Sequence, residues 1–328
     1  MNAFEYARPA SVAEAVELLG ASWDDAAVLA GGTDLITCLK QHVMAPKRLV
    51  SLRDVPELKG VAEENGRAHI GAMTTLAELA ADPLITQHFP ALVAAAQGVG
   101  SPQIMAAGTV GGDLLQRPRC WYFRTEHGLF AKEGDTALVP AGDNRYHAIF
   151  GNDSAAFVCP SSLAPSLVAL DATVELSGPG GAVREIPVAE LFRVPAAEGE
   201  REHSLAANEV LTAILVPLEG LKNGLYEVRH RHGLDWPYVT AAVAYRDSGG
   251  AAADARVVLG HVAPVPWRVD AAGEALSGAA ISADTAAKAG EAATVGATPL
   301  SRNAYKAALV KTAVKRAALT AAGLPLEG

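Results

Sequence analysis

Two segments of this 328-residue chain pair glycines in a way that could do chemistry: Val28-Leu29-Ala30-Gly31-Gly32-Thr33-Asp34-Leu35 and Gly108-Thr109-Val110-Gly111-Gly112-Asp113-Leu114. Without a Cβ, a ligand can approach the main chain, and free N–H groups at a turn or helix start bind phosphate oxygens. Together the two could cradle a pyrophosphate. Taken singly, each is more simply a tight turn that needs glycine. Neither is a G-x-G-x-x-G opening a βαβ unit with an acidic residue about 20 positions on, so a Rossmann site is not supported. Asp34 and Asp113 cut both ways. A carboxylate repels a diphosphate, yet it serves well as a helix cap or as an acceptor for ribose or ring N–H groups.

Other groupings point less far. Cys120, His127, His147 and Cys159 could ligate a metal, but their spacings of 7, 20 and 12 fit no standard zinc or iron–sulfur pattern. Arg229-His230-Arg231-His232 reads as a basic strip on a strand, both arginines on one face and both histidines on the other, and most simply as a solvated or subunit-facing surface. No Ser/His/Asp order, paired-carboxylate spacing or H-E-x-x-H provides hydrolytic apparatus. The three cysteines are too few for a disulfide framework or an intrinsic four-cysteine cluster, and they suit a cytoplasmic home.

Composition narrows the partners. Lys plus Arg total 27 against 36 Asp plus Glu, a net charge of −9, the wrong sign for holding nucleic acid or an anionic membrane surface. Half the residues are hydrophobic and 5% aromatic, so the core must be mostly aliphatic. The N-terminus has no secretory pattern and no stretch reaches the roughly 20 apolar residues of a membrane span, so export would need a signal carried by a partner. At about 150 residues per domain the length allows two.

The elements that would position the glycines follow. Ser11 with Glu14 is a capping-box signature for a helix over 11–19, closed by Gly20. Residues 26–30 read as a strand, then the first glycine turn, then a helix over 35–42; further strands are expected at 48–52 and 68–72. Thr75 with Glu78 starts a short helix ending near Pro83, another spans 91–97, and residues 98–112 turn glycine-rich. Periodicity is lost from 116 to about 160, a long excursion mixing arginines with aromatics, of a length that is usually functional or interfacial. A helix over 163–170 and a hairpin of 172–176 with 182–187 precede a polar surface linker, 193–208, and a strand over 210–216. The domain boundary is expected at or just after that strand. Strands over 225–231, 238–246 and 255–262 followed by Ala-rich helices predict an α+β second domain, its helices on one face of an antiparallel sheet. In the last helix, about 303–321, Leu309, Val310, Ala313 and Ala317 form a stripe opposite Lys306, Lys311 and Lys315.

The two glycine segments resemble the FAD-binding signatures of the flavoprotein (medium) subunit in molybdenum hydroxylases, the xanthine dehydrogenase and carbon monoxide dehydrogenase family. The likeness continues in order through Phe4-Glu5-Tyr6 with Pro9, the block from Ser162 to Val174, Asn208 to Ile214 with Pro217, Asp235-Trp236-Pro237, Val258 to Pro264 with Pro266-Trp267-Arg268, and Gly296 to Ser301 with Asn303 to Lys306. The resemblance implies an α+β fold: a two-part FAD-binding domain of the vanillyl-alcohol-oxidase (PCMH) type over 1–218, with parts of about 1–58 and 59–218, then a small α+β domain of the CO dehydrogenase flavoprotein type over 219–328. It implies that residues Leu29 to Leu35 wrap the diphosphate, with Val28 beside them. Thr109, Val110, Gly111, Gly112 and Asp113 would contact phosphate, ribose or flavin ring, with Ser101, Gln116, Ser162 and Glu227 also facing the cofactor. Val210 and Leu211 would pack near the isoalloxazine.

Three positions depart from the family pattern: Asp113 where asparagine is usual, Ser162 where aspartate is common, and Glu227 where lysine is frequent. Loss of a positive charge near a flavin would alter its potential. The excursion from Gln116-Arg117-Pro118-Arg119-Cys120 to Asn144-Arg145-Tyr146-His147-Ala148 is similar to the insert of the 4-hydroxybenzoyl-CoA reductase and aldehyde oxidoreductase branch, which there holds a 4Fe–4S cluster on four cysteines. Only Cys120 remains inside it, and Leu129 and Ala137 supply no thiolate, so the insert is expected without a cluster. The resemblance thus implies an FAD-carrying electron-transfer subunit with no catalytic residue of its own. Its partners would be a large subunit bearing the molybdenum cofactor and a small one bearing 2Fe–2S clusters, in a dimer of heterotrimers that delivers electrons to an external acceptor. The alternatives are a free-standing flavin oxidase or dehydrogenase and a non-catalytic subunit that has lost FAD.

Overall fold

The computed structural model describes residues 1–231 and 233–326. At the N-terminus β1 (Glu5–Ala7), α1 (Val12–Glu17), β2 (Ala26–Leu29), α2 (Leu35–Lys40) and β3 (Arg48–Ser51) form a small parallel sheet of order β1-β3-β2. Ser11 caps α1 by accepting from the Glu14 N–H, and the Glu14 carboxylate returns to the Ala10 N–H. Ala15, Val16 and Leu19 drive α1 into a core with Val50, Leu52 and Val55.

The second part opens with β4 (Val61–Glu64) and β5 (Arg67–Gly71), continues through five short helices, α3 (Leu76–Ala81), α4 (Pro83–His88), α5 (Pro90–Gly98), α6 (Pro102–Ala107) and α7 (Val110–Leu115), and then enters the excursion. The excursion is ordered by α8 (Trp121–Arg124), a ribbon of β6 (Lys132–Glu133) and β7 (Thr136–Ala137), and α9 (Leu138–Ala141). After α10 (Ala164–Ala169) come β8 (Thr173–Ser177), β9 (Val183–Pro187), α11 (Val188–Leu191) and β10 (Val210–Pro217). The sheet is antiparallel, of order β4-β5-β10-β8-β9, with the late strand β10 at its centre. Strand β10 is buried from Val210 to Val216, an apolar run broken only by Thr212, whose hydroxyl donates to Glu175, as a strand covered on both faces requires.

The C-terminal part is an antiparallel sheet, β11 (Lys222–Val228), β12 (Val239–Ser248), β13 (Ala251–Gly260) and β14 (Trp267–Arg268), with α12 (Asp270–Leu276), α13 (Ala283–Ala292) and α14 (Tyr305–Ala321). Its strands alternate sides. Ala242 and Ala244 join the core of the central part through α5 and α10, whereas Ala241, Val243 and Tyr245 join Val310, Val314 and Ala317 of α14. The sheet is thereby covered on both faces, not on one.

One strand was not expected, and two further expectations need correction. Val61–Glu64 is a strand that lacked a pattern, because three of its four residues face solvent at a sheet edge. Strand β11 ends at Val228, so Arg229, His230 and Arg231 lie beyond it in the connection to β12, and strand alternation does not govern them; His232 lies outside the described residues. Lys306 is buried, not on an outer face: its ammonium donates to the carbonyls of Tyr146, His147 and His261 at 2.9, 3.1 and 2.8 Å, tying the excursion to the C-terminal sheet. Burial pushes its pKa down to about 7.

Candidate functional site

A two-armed cleft runs where the parts meet. One arm, of about 1160 Å³ including its open mouth, lies between β2 with the first glycine loop and residues 201–211. The other, about 1260 Å³ on the same measure, lies between residues 98–116 and the start of the C-terminal part at Arg229 and Leu234–Pro237. Thr33, Asp34, Thr109, Gly112 and Gln116 line both arms, so the two glycine loops form the waist.

The loops are pressed together. A Cβ on Gly31 would stand 1.7 Å from the Ala107 carbonyl oxygen, so only glycine allows the first loop to touch the end of α6. Gly32 has φ +74°, a left-handed backbone that favours glycine. Among the described residues no acceptor is found for the N–H groups of Gly31, Gly32, Thr33, Asp34 or Leu35, five in succession at the waist. That is the donor set an anionic diphosphate needs.

The second loop differs. Its N–H groups are spent within the fold: Val110 on Thr74 O, Gly111 on Ala72 O, Gly112 on the Thr109 hydroxyl and Asp113 on Thr109 O, all between 2.8 and 3.1 Å. A Cβ on Gly111 would press at 3.0 Å on Ala72. Asp113 is turned inward, where its carboxylate accepts from the Ser161 hydroxyl at 2.5 Å, from the Leu163 and Ser162 N–H groups at 3.0 and 3.2 Å, and from Gln116 Nε2 at 3.0 Å. Burial pushes its pKa up against these donors. It ties α7 to the start of α10 and aims no free charge at the waist.

Asp34 is neutralised from behind. It accepts from the Arg117 N–H at 2.8 Å, Arg119 Nη1 at 2.8 Å and Arg124 Nη2 at 2.9 Å, all from the first turn of the excursion. Arg124 also donates to Cys38 Sγ, Pro118 O and Arg117 O, so its guanidinium knots the excursion to α2. The negative charge expected to repel a diphosphate is therefore compensated.

The arm beyond the waist holds a residue that sequence reasoning missed. Arg201 lies in the stretch expected as a surface linker, yet that stretch turns inward, with Glu202 and His203 buried and Arg201, Leu205 and Ala207 lining the arm. Polarity misled here, because these charges serve a cavity and not bulk water. Glu202 takes Arg117 through Nε and Nη2; although burial raises it, Arg117 and His203 hold its carboxyl below the usual range. His203 Nε2 donates to the Leu114 carbonyl at 3.1 Å, and burial lowers its pKa to about 4. Arg201 stacks 3.9 Å over Trp23, and burial together with the Arg117 charge pushes its pKa down to about 9. Among the described residues no carboxylate lies within salt-bridge distance of it. A cation in a cavity with no carboxylate in contact, Glu202 and Asp24 acting on it only from farther off, is suited to an anionic ligand.

The expected cofactor contacts divide between the arms. Val28, Ala30, Gly31, Leu35, Gly111, Val210 and Leu211 line the first; Asp113 and Ser162 line the second. Val210 and Ser162 therefore line different arms. Four expected contacts line neither arm. Leu29 packs into the small core with Leu39 and Leu49, Val110 is in the main core, and Ser101 caps α6 by accepting from the Ile104 N–H. Glu227 is buried in an ion pair with Arg229, which itself lines the second arm; burial raises the Glu227 carboxyl despite that partner.

Among the described residues no three His, Cys, Asp or Glu side chains group as metal ligands, and no helix is long and apolar enough to cross a membrane. Residues 2–219 match the family described as the FAD binding domain in molybdopterin dehydrogenase, and residues 224–321 the CO dehydrogenase flavoprotein C-terminal domain. The chain is 32% identical over 319 residues to the carbon monoxide dehydrogenase medium chain of Hydrogenophaga pseudoflava, covering 96% of this chain and 95% of that one. It is 31% identical to the aldehyde oxidoreductase FAD-binding subunit PaoB of Escherichia coli, covering 84% and 87%. The solved H. pseudoflava carbon monoxide dehydrogenase lacking the Mo-pyranopterin moiety superposes with a TM-score of 0.74 over 98% of this chain and 97% of that one.

Proposed function

Because the chain belongs to the FAD-binding medium subunits of the molybdenum hydroxylase family, we propose that it passes electrons between 2Fe–2S clusters of a partner subunit and an external acceptor through its FAD. The observation that carries this reading is the run of five unpartnered N–H groups from Gly31 to Leu35 at the waist of a two-armed cleft. FAD accepts single electrons and releases them in pairs, which is the chemistry such a relay requires.

The chain's own residues bind and orient. The first loop holds the diphosphate by main-chain N–H donors, with Arg201 supplying charge from the apolar arm that Trp23, Val210 and Leu211 wall. That arm takes the adenosine end. The second arm takes the ring, since Arg119 lines it and, sharing the single Asp34 carboxylate with Arg124, leaves a net positive charge that favours a reduced, anionic ring. The departures at Asp113, Ser162 and Glu227 leave the cleft open: Asp113 faces Ser161 and Leu163, Ser162 donates its N–H to Asp113, and Glu227 faces Arg229. Among the described residues lining the second arm each carboxylate is partnered, Asp34 by Arg117, Arg119 and Arg124, Asp113 by Ser161 and Leu163, and Asp235 by Arg231 and the Trp236 N–H, which favours the relay over a free-standing oxidase. In this reading the partners are a molybdenum-cofactor large subunit and a 2Fe–2S small subunit in a cytoplasmic dimer of heterotrimers, of the xanthine dehydrogenase type or a dehydroxylase relative.

The test is the absorption spectrum of the purified chain with FAD extraction by acid. One FAD per chain, or its uptake on reconstitution with affinity well above that for FMN, is expected. Absence of flavin bands together with failure to take up FAD overturns the reading.

A further inference from the structure

Three guanidiniums line the second arm, those of Arg119, Arg229 and Arg231. They are not equivalent. Arg229 is matched one to one by the buried carboxylate of Glu227, so its charge is compensated inside the fold. Arg231 faces Asp235 at 3.6 Å, and its side chain is 73% exposed, so water screens whatever that pairing leaves. Arg119 differs on both counts. Its Nη1 donates to Asp34 Oδ1 at 2.8 Å, but the same oxygen takes Arg124 Nη2 at 2.9 Å, and Arg119 Nη2 goes to the neutral amide oxygen of Gln116 at 2.9 Å. One carboxylate thus serves two guanidiniums away from most of the solvent, Arg124 being buried and the Arg119 side chain 29% exposed. Asp113 acts on Arg119 only from farther off, its oxygens taken by Ser161, Ser162, Leu163 and Gln116. Burial pushes the Arg119 pKa down, Asp34 raising it and Arg124 lowering it, as expected of a cation short of counter-charge.

The Arg119 guanidinium is also held in place from both sides of the cleft. It stacks 4.9 Å over the Trp236 ring, which belongs to the C-terminal part, while Asp34 holds it from the first glycine loop. Asp34 lines both arms. Its main-chain N–H is one of the five unpartnered donors at the waist, and its carboxylate reaches the other way to Arg119. The residue that offers a donor to a diphosphate therefore also places the cation in the second arm.

We propose that Arg119 sets the reduction potential of the FAD and that Asp34 is the residue positioning it, so that the loop holding the diphosphate also fixes the charge the ring meets. This rests on the flavin reading above, with the ring in the second arm. A reduced, anionic ring carries one negative charge more than the oxidised ring, so a cation facing it stabilises the reduced form and raises the potential. Removing that cation lowers the potential. Removing the Asp34 carboxylate leaves two guanidiniums without their shared partner and acts with the opposite sign.

The test is a redox titration of the FAD-loaded full chain against a dye of known potential, read in the flavin absorbance. At a fixed dye potential, Arg119→Gln should lower the ratio of reduced to oxidised flavin about tenfold, which is about 30 mV for a two-electron couple. Asp34→Asn should raise the ratio by about threefold or more, and Arg119→Lys, which keeps the charge, should stay within about threefold of the parent. Opposite signs at two touching residues are a result that mere loosening of the site does not give. If Arg119→Gln does not retain FAD, the sign of the Asp34→Asn shift carries the comparison. A change below threefold in Arg119→Gln, a fall or no change in Asp34→Asn, or an Arg119→Lys chain shifted as far as Arg119→Gln overturns the proposal. One FAD per parent chain with a potential that ignores these substitutions leaves the flavin reading standing, whereas a parent chain that takes up no FAD overturns both.

Discussion

The two glycine loops read alike, Gly31-Gly32-Thr33-Asp34 against Gly111-Gly112-Asp113, and both meet at the waist of the cleft, yet they stand in opposite states. The first leaves five consecutive N–H groups unpartnered. The second pairs those of Val110, Gly111, Gly112 and Asp113 within the fold and uses its carboxylate to tie α7 to α10. In the proposed reading the first loop takes hold of an anion, while the second is bonded into the fold around it. A glycine pair therefore means different things depending on where its backbone hydrogen bonds go.

Changing Gly31 to Ala should have the largest effect, because its Cβ would overlap the Ala107 carbonyl and drive the loops apart. A loss of stability on the order of 3–5 kcal/mol is expected, with no flavin retained; denaturant melts and the flavin spectrum check it, and a stable, flavin-loaded Gly31→Ala chain would contradict the contact. Arg201→Gln comes next. Loss of a charge-assisted contact to the diphosphate side should weaken FAD by roughly 10–100-fold while stability moves by less than about 0.5 kcal/mol, as read by equilibrium dialysis. Asp113→Asn should act the other way round. Replacing one acceptor oxygen by a donor faces it with N–H or O–H groups, costing about 1–3 kcal/mol of stability, and FAD affinity should change less than about threefold. A large affinity loss there would place the second loop in direct contact with the cofactor and erase the contrast.

The smallest effect is in pH. His203 supports the second loop through the Leu114 carbonyl, and its pKa is about 4 in the fold against 6.5 for a free imidazole. Between those values the unfolded chain holds a proton that the folded chain does not, so the contribution is intact above pH 6.5 and lost as pH falls toward 4, at up to roughly 1.4 kcal/mol per pH unit. Denaturant midpoints measured from pH 7 to pH 4.5 for the parent chain and His203→Gln should show a shallower slope in the variant.

Much of the local structure was legible. Ser11 with Glu14 and Thr75 with Glu78 mark helix starts in the sequence, and both caps form. The strand, glycine turn and helix around Gly31 follow from periodicity and glycine placement, as does the Val310, Ala313 and Ala317 stripe of α14. What misled was polarity. Lys306 sits at an apparently outward position but is consumed by three carbonyls, and residues 201–203 look like linker because charged residues usually face water. Their burial is supported by partners far away in sequence, which periodicity does not report.

By itself the sequence determined where the chain could turn, which segments could be helix or strand, and, through blocks in order, the family it belongs to. Those are properties of backbone sterics and of local spacing. Tertiary structure alone decided which loop keeps its N–H groups free, that Asp34 is neutralised, and that Arg201 faces a cavity with no described carboxylate in contact with it. Each depends on a partner brought in from elsewhere: Ala72 for Gly111, Arg124 for Asp34, Trp23 for Arg201. A donor or a charge is available to a ligand only if folding leaves it unpaired, and pairing is settled by which distant segments pack together.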